Sequence, residues 1–300
     1  MKKSPLNYPE LTIARLKAFV EVVHAGSIAK ATNKDSTKQS QYSRQIKELE
    51  NSLGIPLFNR NGKSMTPSFS GQELSGIVSA FSNALDELVS QHETAQRLIR
   101  IGAGNAVYQW LLLPIANELQ KKLPLVSLEF RNLRGNEILE QLKTGQLDIG
   151  ITSSQKESDT KQFTAHPIRS LRFALFYPKS EFKSPTLKKV LASKKLIGLS
   201  GSGSIWKRTA QLMKSHGVEP HLWMQFDSMP MIVNALRKTN GVAILPQAAG
   251  EDLNDSGYNA INSRELKSFE HNYSVLLNAR VSEMRNSTTR AAETLAKLLQ

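Results

Sequence analysis

Residues 12–54, TIARLKAFVEVVHAGSIAKATNKDSTKQSQYSRQIKELENSLG, decide the fold of the N-terminal part of the chain. Apolar side chains recur at helical spacing between Thr12, a good N-cap, and Gly26, a good left-handed stop. Ser27 can cap a second, short helix, residues 35–38 supply a polar turn, and a third amphipathic helix follows. Three short helices with a tight polar turn between the last two predict a helix-turn-helix.

The next segment predicts a two-stranded wing and one long helix. Pro56–Phe58 is typical of a strand, Asn59–Gly62 of a turn and Met65 of a return strand, and Ser68 is placed to cap a helix that runs to about Gln91. That helix carries a narrow apolar stripe close to heptad spacing, which predicts dimerisation of two copies. Packing of the stripe within one chain is the alternative. Its members are Leu74, Ile77, Phe81, Leu85 and Leu88.

From residue 98 onward, predicted strands alternate with predicted helices. Leu98–Ala103 is the first candidate strand and Tyr108–Leu123 the first candidate helix, and the alternation continues to the end of the chain. Repeated units of this kind predict open, mainly parallel sheets. Two such halves, with a last unit that returns to the first, would form a hinged α/β clamshell.

Composition restricts the compartment and the partners. The chain contains no cysteine, which excludes disulfides and thiolate metal sites, and its apolar runs are far shorter than a membrane span. An apolar segment typical of a secretory signal does not follow Lys2 and Lys3, so we expect a cytoplasmic protein with no membrane partner. The formal net charge is +13, and residues 1–66 are the most densely basic part, with eleven Lys and Arg against five Asp and Glu. This balance favours an anionic partner.

Short motifs occur in a fixed order along nearly the whole chain. The N-terminal motifs are Leu16, Phe19, Gly26-Ser27-Ile28, Ser43-Arg44-Gln45-Ile46, Leu49-Glu50, Leu53-Gly54, Leu57-Phe58 and Arg60. Those further on are Ile101-Gly102, Leu113-Pro114, Gly145-x-Leu147-Asp148-Ile149-x-Ile151 and Gly241-Val242-Ala243-x-Leu245-Pro246. Each motif is short, but the ordered set is specific, and it resembles the LysR-type transcriptional regulators.

The resemblance implies a transcription regulator that binds double-stranded DNA as a homodimer or homotetramer, responds to a small-molecule effector and contacts RNA polymerase. It implies an all-α winged helix-turn-helix and linker helix, followed by a two-subdomain α/β effector-binding domain similar to periplasmic binding proteins. The expected divisions are 1–67 for DNA binding, 68–97 for the linker helix and 98–300 for effector binding, with subdomain I at about 98–167 and 270–300 and subdomain II at about 168–269. No cofactor is expected.

The third helix is the predicted recognition helix, because polar side chains in its first turns would enter the major groove. The predicted base-reading side chains are Gln39, Ser40, Gln41, Ser43 and Arg44. Glutamine can pair with adenine and arginine with guanine. The predicted phosphate contacts are Lys38, Lys47, Arg60 and Lys63. Thr37 is expected to cap the helix. A plain solvated helix face is the alternative.

The effector site is predicted at the carboxyl ends of the strands, in the crevice between the two halves. The predicted contacts are Gly104, Asn105, Asn132 and Thr152 from the first half and Ser200, Ser202 and Phe226 from the second. The Ser- and Gly-rich turn 200–204 opens a helix, where N–H groups and hydroxyls favour an anion. We therefore expect a carboxylate or another anion as effector. A plain flexible loop is the alternative.

The alternative functions are those of an α/β enzyme and of a solute-binding protein with an accessory DNA-binding domain. Gly102-x-Gly104 begins a dinucleotide fingerprint, but Val107 occupies its third glycine position. Gly198-Leu199-Ser200 lacks the closing glycine of a nucleophile elbow. The six histidines show no metal-ligand spacing. We expect no catalytic residue and no metal ligand.

Overall fold

A computed structural model describes residues 8, 11–61, 64–90, 97–153, 162–201, 203–280 and 286–300. Its helices are α1 Ile13–Ala25, α2 Ile28–Ala31, α3 Ser36–Leu53, α4 Phe69–Ser90, α5 Asn105–Val107, α6 Ala116–Lys122, α7 Gly135–Lys143, α8 Leu187–Leu191, α9 Ser204–Ser215, α10 Met229–Lys238, α11 Ala249–Leu253 and α12 Asn286–Leu298. Its strands are β1 Phe58–Asn61, β2 Ser64–Pro67, β3 Arg97–Ala103, β4 Val126–Asn132, β5 Ile149–Ser153, β6 Phe163–Leu171, β7 Phe173–Pro178, β8 Ile197–Leu199, β9 Met224–Phe226, β10 Ala243–Pro246, β11 Tyr258–Ile261 and β12 His271–Asn278. A π-helical turn, Tyr108–Leu112, and a 3-10 turn, Leu113–Ile115, join α5 to α6.

The first two helices begin at the expected caps. The Thr12 hydroxyl accepts from the Arg15 N–H at 3.3 Å, and the Ser27 hydroxyl accepts from the Lys30 N–H at 3.2 Å. Gly26 ends α1 with φ of 73°, a left-handed conformation that favours glycine. Local chemistry therefore sets these boundaries as the sequence predicted.

The start of α3 differs from the expectation. Asp35 is its cap, with the carboxylate accepting from the Lys38 N–H at 3.0 Å, so the turn lies at residues 32–34. Asn33 and Lys34 close that turn with positive φ. The expectation that Thr37 caps the helix was wrong, because the Asp35 carboxylate accepts from the Lys38 N–H and Thr37 already lies inside the first turn.

The three helices and the wing share one small core, with the buried side chains of Phe19, Val22, Ile46, Leu49 and Leu57 at its centre. Strands β1 and β2 pair antiparallel. The expected turn at Asn59–Gly62 was wrong in part, because Asn59 to Asn61 pair with β2 and extend the strand.

The linker helix α4 follows the wing directly. The Ser68 hydroxyl accepts from the Gly71 N–H at 3.0 Å and donates to the Pro56 carbonyl at 2.8 Å, so it caps α4 and ties it to the wing. Leu74 packs against the N-terminal core. Leu74 is half-buried by this packing, so its own chain accounts for part of its apolar surface, and its place in the dimer stripe stays a prediction.

The C-terminal part contains a five-stranded sheet of order β4-β3-β5-β12-β6 and a three-stranded sheet of order β10-β7-β11, together with the parallel pair β8-β9. Strands β3, β4 and β5 are parallel, but β12 is antiparallel to both β5 and β6. The expectation of mainly parallel sheets was therefore wrong. The chain leaves the larger sheet through β6 and re-enters it through β12, and these two strands run in opposite directions.

Within the described ranges, no helix is both long enough and apolar enough to cross a lipid bilayer.

Candidate functional site

One face of α3 is directed away from the N-terminal core. Ile46 and Leu49 are buried on the inner face, and the Tyr42 hydroxyl donates to Glu21 of α1. Gln39 is half-buried at the edge of this packed face. The other predicted contacts of this helix are exposed; they are Lys38, Ser40, Gln41, Ser43, Arg44 and Lys47. The structure therefore brings most of the predicted DNA contacts onto one solvent-facing surface.

Within this surface, Arg44 belongs to a chain of charged side chains. Its Nε lies 3.5 Å from Glu48 Oε1, and the Arg15 guanidinium lies 2.5 Å from the other oxygen of that carboxylate. The Arg44 side chain is 78% exposed, whereas that of Arg15 is 18% exposed. Glu48 thus joins α1 to α3 and leaves most of the Arg44 side chain in solvent.

Thr37 also belongs to this face, although it was not among the predicted DNA contacts. Thr37 is exposed, and the spacing of Thr37, Ser40 and Arg44 places the three on one side of the helix. The Ser40 hydroxyl donates to the Ser36 carbonyl at 3.1 Å, so it is folded back onto the helix. Helical periodicity could have placed Thr37 on this face, but its expected role as a helix cap excluded it from the predicted contacts.

The wing residues complete the predicted DNA contacts. Arg60 lies in β1, with its backbone opposite Met65. Lys63 lies outside the described residues.

Apart from Leu74, the predicted dimer stripe is exposed along α4. The exposed side chains are Ile77, Phe81, Leu85 and Leu88. A row of exposed apolar residues on one helix face is unfavourable in water and typical of an interface.

A cavity of about 540 Å³ opens at the carboxyl ends of β3, β4 and β5. Gly104, Asn105, Asn132 and Thr152 line it, as predicted. In the described part of the chain, neither Ser200 nor Phe226 lines this cavity, although their neighbours Leu199 and Asp227 do, and the predicted effector contacts of the two residues stay a prediction; Ser202 lies outside that part. The Ser200 N–H donates to the Phe226 carbonyl at 2.7 Å, which ties together the ends of β8 and β9 beside the cavity.

Three helices begin at the wall of the cavity, among them the helix that the Ser- and Gly-rich turn 200–204 was expected to open. Arg134 and Gly135 lie at the start of α7, Ser204 at the start of α9 and Met229 at the start of α10. The N-terminus of a helix carries unpaired N–H groups and a partial positive charge. Asp227 lines the same cavity and supplies a carboxylate. The helix N-termini of this site therefore favour an anionic group, and the carboxylate of Asp227 favours a cationic group.

His271 on β12 lines the cavity and contacts Arg208 of α9. The two side chains approach to 3.0 Å, from Arg208 Nη1 to His271 Nε2. Burial lowers the pKa of His271, and the nearby charge of Arg208 lowers it further. The imidazole is therefore held neutral, with Nε2 as the acceptor and Nδ1 as the protonated nitrogen.

The described residues contain no group of three or more His, Asp or Glu side chains arranged to hold a metal ion.

Two family models match the chain. The model described as "Bacterial regulatory helix-turn-helix protein, lysR family" matches residues 13–72, and "LysR substrate binding domain" matches residues 92–291. Together they cover the exposed face of α3 and every lining residue of the cavity.

The chain is similar to a curated regulator and to solved regulators along most of its length. "Uncharacterized HTH-type transcriptional regulator YybE" of Bacillus subtilis is 22% identical over 246 residues, which cover 79% of this chain and 83% of that protein. Full-length LysG of Corynebacterium glutamicum, with its effector Arg bound, is 14% identical with a TM-score of 0.65, and the match covers 96% of this chain and 98% of that one. Full-length CbnR, complexed with its target DNA, is 15% identical with a TM-score of 0.55, and the match covers 95% and 100%.

Proposed function

The chain belongs to the LysR family of bacterial transcriptional regulators, and from that premise we propose that it reads a specific operator as a homodimer or homotetramer and changes its DNA complex when a small anionic effector binds. Its place of action is the cytoplasm, where the DNA lies, and contact with RNA polymerase is the expected output. One observation carries the proposal: a single chain combines an exposed polar face on α3 with a cavity of about 540 Å³ at three strand ends.

DNA recognition is assigned to the exposed face of α3. Gln41 and Arg44 supply the side chains that pair with adenine and guanine, and each well-formed pair discriminates by about 1–3 kcal/mol. Lys38, Lys47, Arg60 and Lys63 are assigned to phosphates, which position the protein without specifying sequence. The units that carry these roles are 1–67 for DNA binding, 68–97 for dimerisation and 98–300 for effector binding.

The effector is assigned to the class of small carboxylates. The starts of α7, α9 and α10 favour a negative group, and Arg134 adds a full positive charge. Asp227 disfavours a ligand with several negative charges but matches an ammonium group on the same molecule. A monocarboxylate or an amino acid therefore fits this lining better than an inorganic dianion. The bound Arg of the LysG structure supports the amino-acid alternative.

Two measurements test the proposal. Selection from a randomised DNA pool with the full-length chain should enrich one two-fold symmetric sequence, and its affinity should fall steeply with salt because phosphate contacts release counterions. A thermal-shift panel of monocarboxylates, amino acids and inorganic anions should yield a hit among the first two groups, since a ligand at a hundredfold its Kd stabilises by about 2.7 kcal/mol. An unenriched pool would refute DNA reading, and a panel led by inorganic dianions would refute the assigned effector class.

An enzyme remains the competing function for the α/β part. Turnover of a panel hit by the full-length chain, followed by mass spectrometry, would favour it. We expect each hit to be recovered unchanged.

A further inference from the structure

Helix α7 has one end in the effector cavity and the other against the linker helix. Its first turn, with Arg134, Gly135 and Ile138, lines the cavity. Its last residue, Lys143, leads into the turn Thr144-Gly145, which contacts α4. Nine residues of α-helix span about 13 Å, so one rigid element reaches from the ligand site to the linker.

The contact with the linker centres on one carbonyl group. The Thr144 carbonyl accepts from Ser75 Oγ at 2.9 Å and from Ser79 Oγ at 3.3 Å, both on α4. His24 Nε2, at the end of α1, lies 3.3 Å from the same oxygen. Ser75 is completely buried. Two helices of the N-terminal part are therefore attached to a single atom of the effector-binding part.

Small residues make this close contact possible. A Cβ at Gly76 would lie 2.8 Å from the Lys143 carbonyl oxygen, and one at Gly145 would lie 2.5 Å from Ser79 Cβ. Gly145 also has φ of 75°, which other residues adopt only with strain. The small residues at this junction are thus matched to a docked α4, and the positive φ of Gly145 belongs to the end of α7.

Two outer contacts flank the junction. Gln72 of α4 donates to Glu140 of α7 at 3.0 Å, and Arg280 lies 2.9 Å from Glu73 of α4. These pairs are more exposed than Ser75 and contribute less, because solvent screens them.

Helix α7 is packed closely enough to move as a unit. Ile138 and Leu142 are buried against β5, where a Cβ at Gly150 would lie 2.5 Å from Ile138 and 2.8 Å from Leu142. A group that displaces the start of α7 must therefore also displace its end, since close-packed interiors transmit small shifts.

We propose that α7 couples the effector cavity to the DNA-binding part by holding or releasing α4 through the junction of Ser75, Ser79 and Thr144. A ligand at Arg134 and Gly135 shifts α7 along β5. This shift changes the fraction of subunits in which α4 is docked on the turn Thr144-Gly145. The docked and released subunits place α3 at different positions relative to the effector-binding part. The role of this movement in the control of DNA binding rests on the proposed function, whereas the docking and release of α4 do not.

The test measures the distance between α3 and α6 in the full-length protein without DNA or ligand. Because the chain has no cysteine, Asn51→Cys with Gln120→Cys gives two specific spin-label positions, both exposed. Labelled chains are diluted into unlabelled chains so that distances within one subunit dominate. Double electron–electron resonance then gives the distribution.

The double variant Ser75→Ala with Ser79→Ala removes the two hydroxyl donors of α4. It should raise several-fold the population of subunits with a longer distance between the two spin labels. Gly135→Val should give the same change from the far end of α7, because a Cβ there already lies 3.0 Å from Thr152 Oγ1. The matched control is Asn136→Val, one residue further on the exposed side of α7, and it should give the wild-type distribution.

An unchanged distribution in the Ser75 and Ser79 variant would show that the junction does not hold α4. A change there without one in Gly135→Val would show that α7 does not transmit. If Gly135→Val does not fold, Gly135→Ala applies the same displacement more mildly and is judged by the same criterion. The readout needs neither an operator nor an effector, so failure of the proposed function would leave this result unaffected.

Discussion

Arg44 and Glu48 lie one turn apart on α3, with Arg44 Nε 3.5 Å from Glu48 Oε1. Glu48 is also held by Arg15 of α1, so its carboxylate has a fixed position. An exposed pair of this kind adds little stability, and the guanidinium can exchange it for a guanine edge at small cost. The arrangement orients Arg44 without binding it tightly.

Arg44→Ala should therefore relax base preference at one or two positions of each half-site. We expect a loss of about 1–3 kcal/mol on the selected sequence and little on random DNA. Affinities measured across a randomised operator pool give both numbers. Lys47→Ala is the comparison variant, and it should weaken all sequences about equally and lower the salt slope by about one per subunit. A uniform loss in Arg44→Ala would make Arg44 a phosphate contact instead.

Phe81→Asp should dissociate the oligomer, because it places a charge in an apolar interface. Phe81 is 43% exposed in the single subunit, so the fold itself should tolerate the change. Sedimentation measures the mass of the oligomer.

Leu74→Ala should do the opposite: it should lower the free energy of unfolding by about 1–2 kcal/mol and leave the oligomer intact, because Leu74 packs on its own core. An unchanged mass for Phe81→Asp would place the interface elsewhere.

Gly104→Leu should abolish effector binding without harm to the fold. Among the described residues, no atom lies within 4 Å of a Cβ at Gly104, so the new side chain has room to fill the cavity. The stabilisation of about 2.7 kcal/mol expected from a hit at a hundredfold its Kd should disappear. Ser200→Leu separates the two assignments of the site: it should retain the full thermal shift, since Ser200 lies outside the lining. Loss of the shift in Ser200→Leu would restore the sequence-based assignment.

Stability should decrease in mild acid, in part through His271. Its pKa in the folded protein is lowered from 6.5 by burial and by Arg208, so below about pH 6.5 the unfolded chain binds more protons at this position. The contribution of neutral His271 to the free energy of unfolding is complete above about pH 6.5. This contribution is lost as the pH falls from 6.5 through the pKa of His271 in the folded protein. Urea unfolding at about pH 8 and about pH 5.5 measures the difference. His271→Gln, which cannot titrate, should show a smaller difference than the wild type; an equal or larger one would contradict the prediction.

The sequence by itself determined the features that depend on local chemistry. Thr12, Ser27 and Ser68 cap helices because a hydroxyl needs only N–H groups two or three residues away. The polar face of α3 and the apolar stripe of α4 follow from helical periodicity. Ordered motifs identified the family, and four of the seven predicted effector contacts line the cavity because strand ends could be located approximately.

Only the tertiary structure decided which distant groups meet. Strands β9 and β11 are three and four residues long, and their places are fixed by pairing with β8 and β7. The Ser200 N–H bonds to the Phe226 carbonyl, 26 positions further along the chain, and Leu74 is half-buried against the packed N-terminal core. The meeting of Ser75 with Thr144 spans 69 positions of sequence. Capping and periodicity act within a few residues, whereas such contacts form only after loop closure and close packing have fixed both partners.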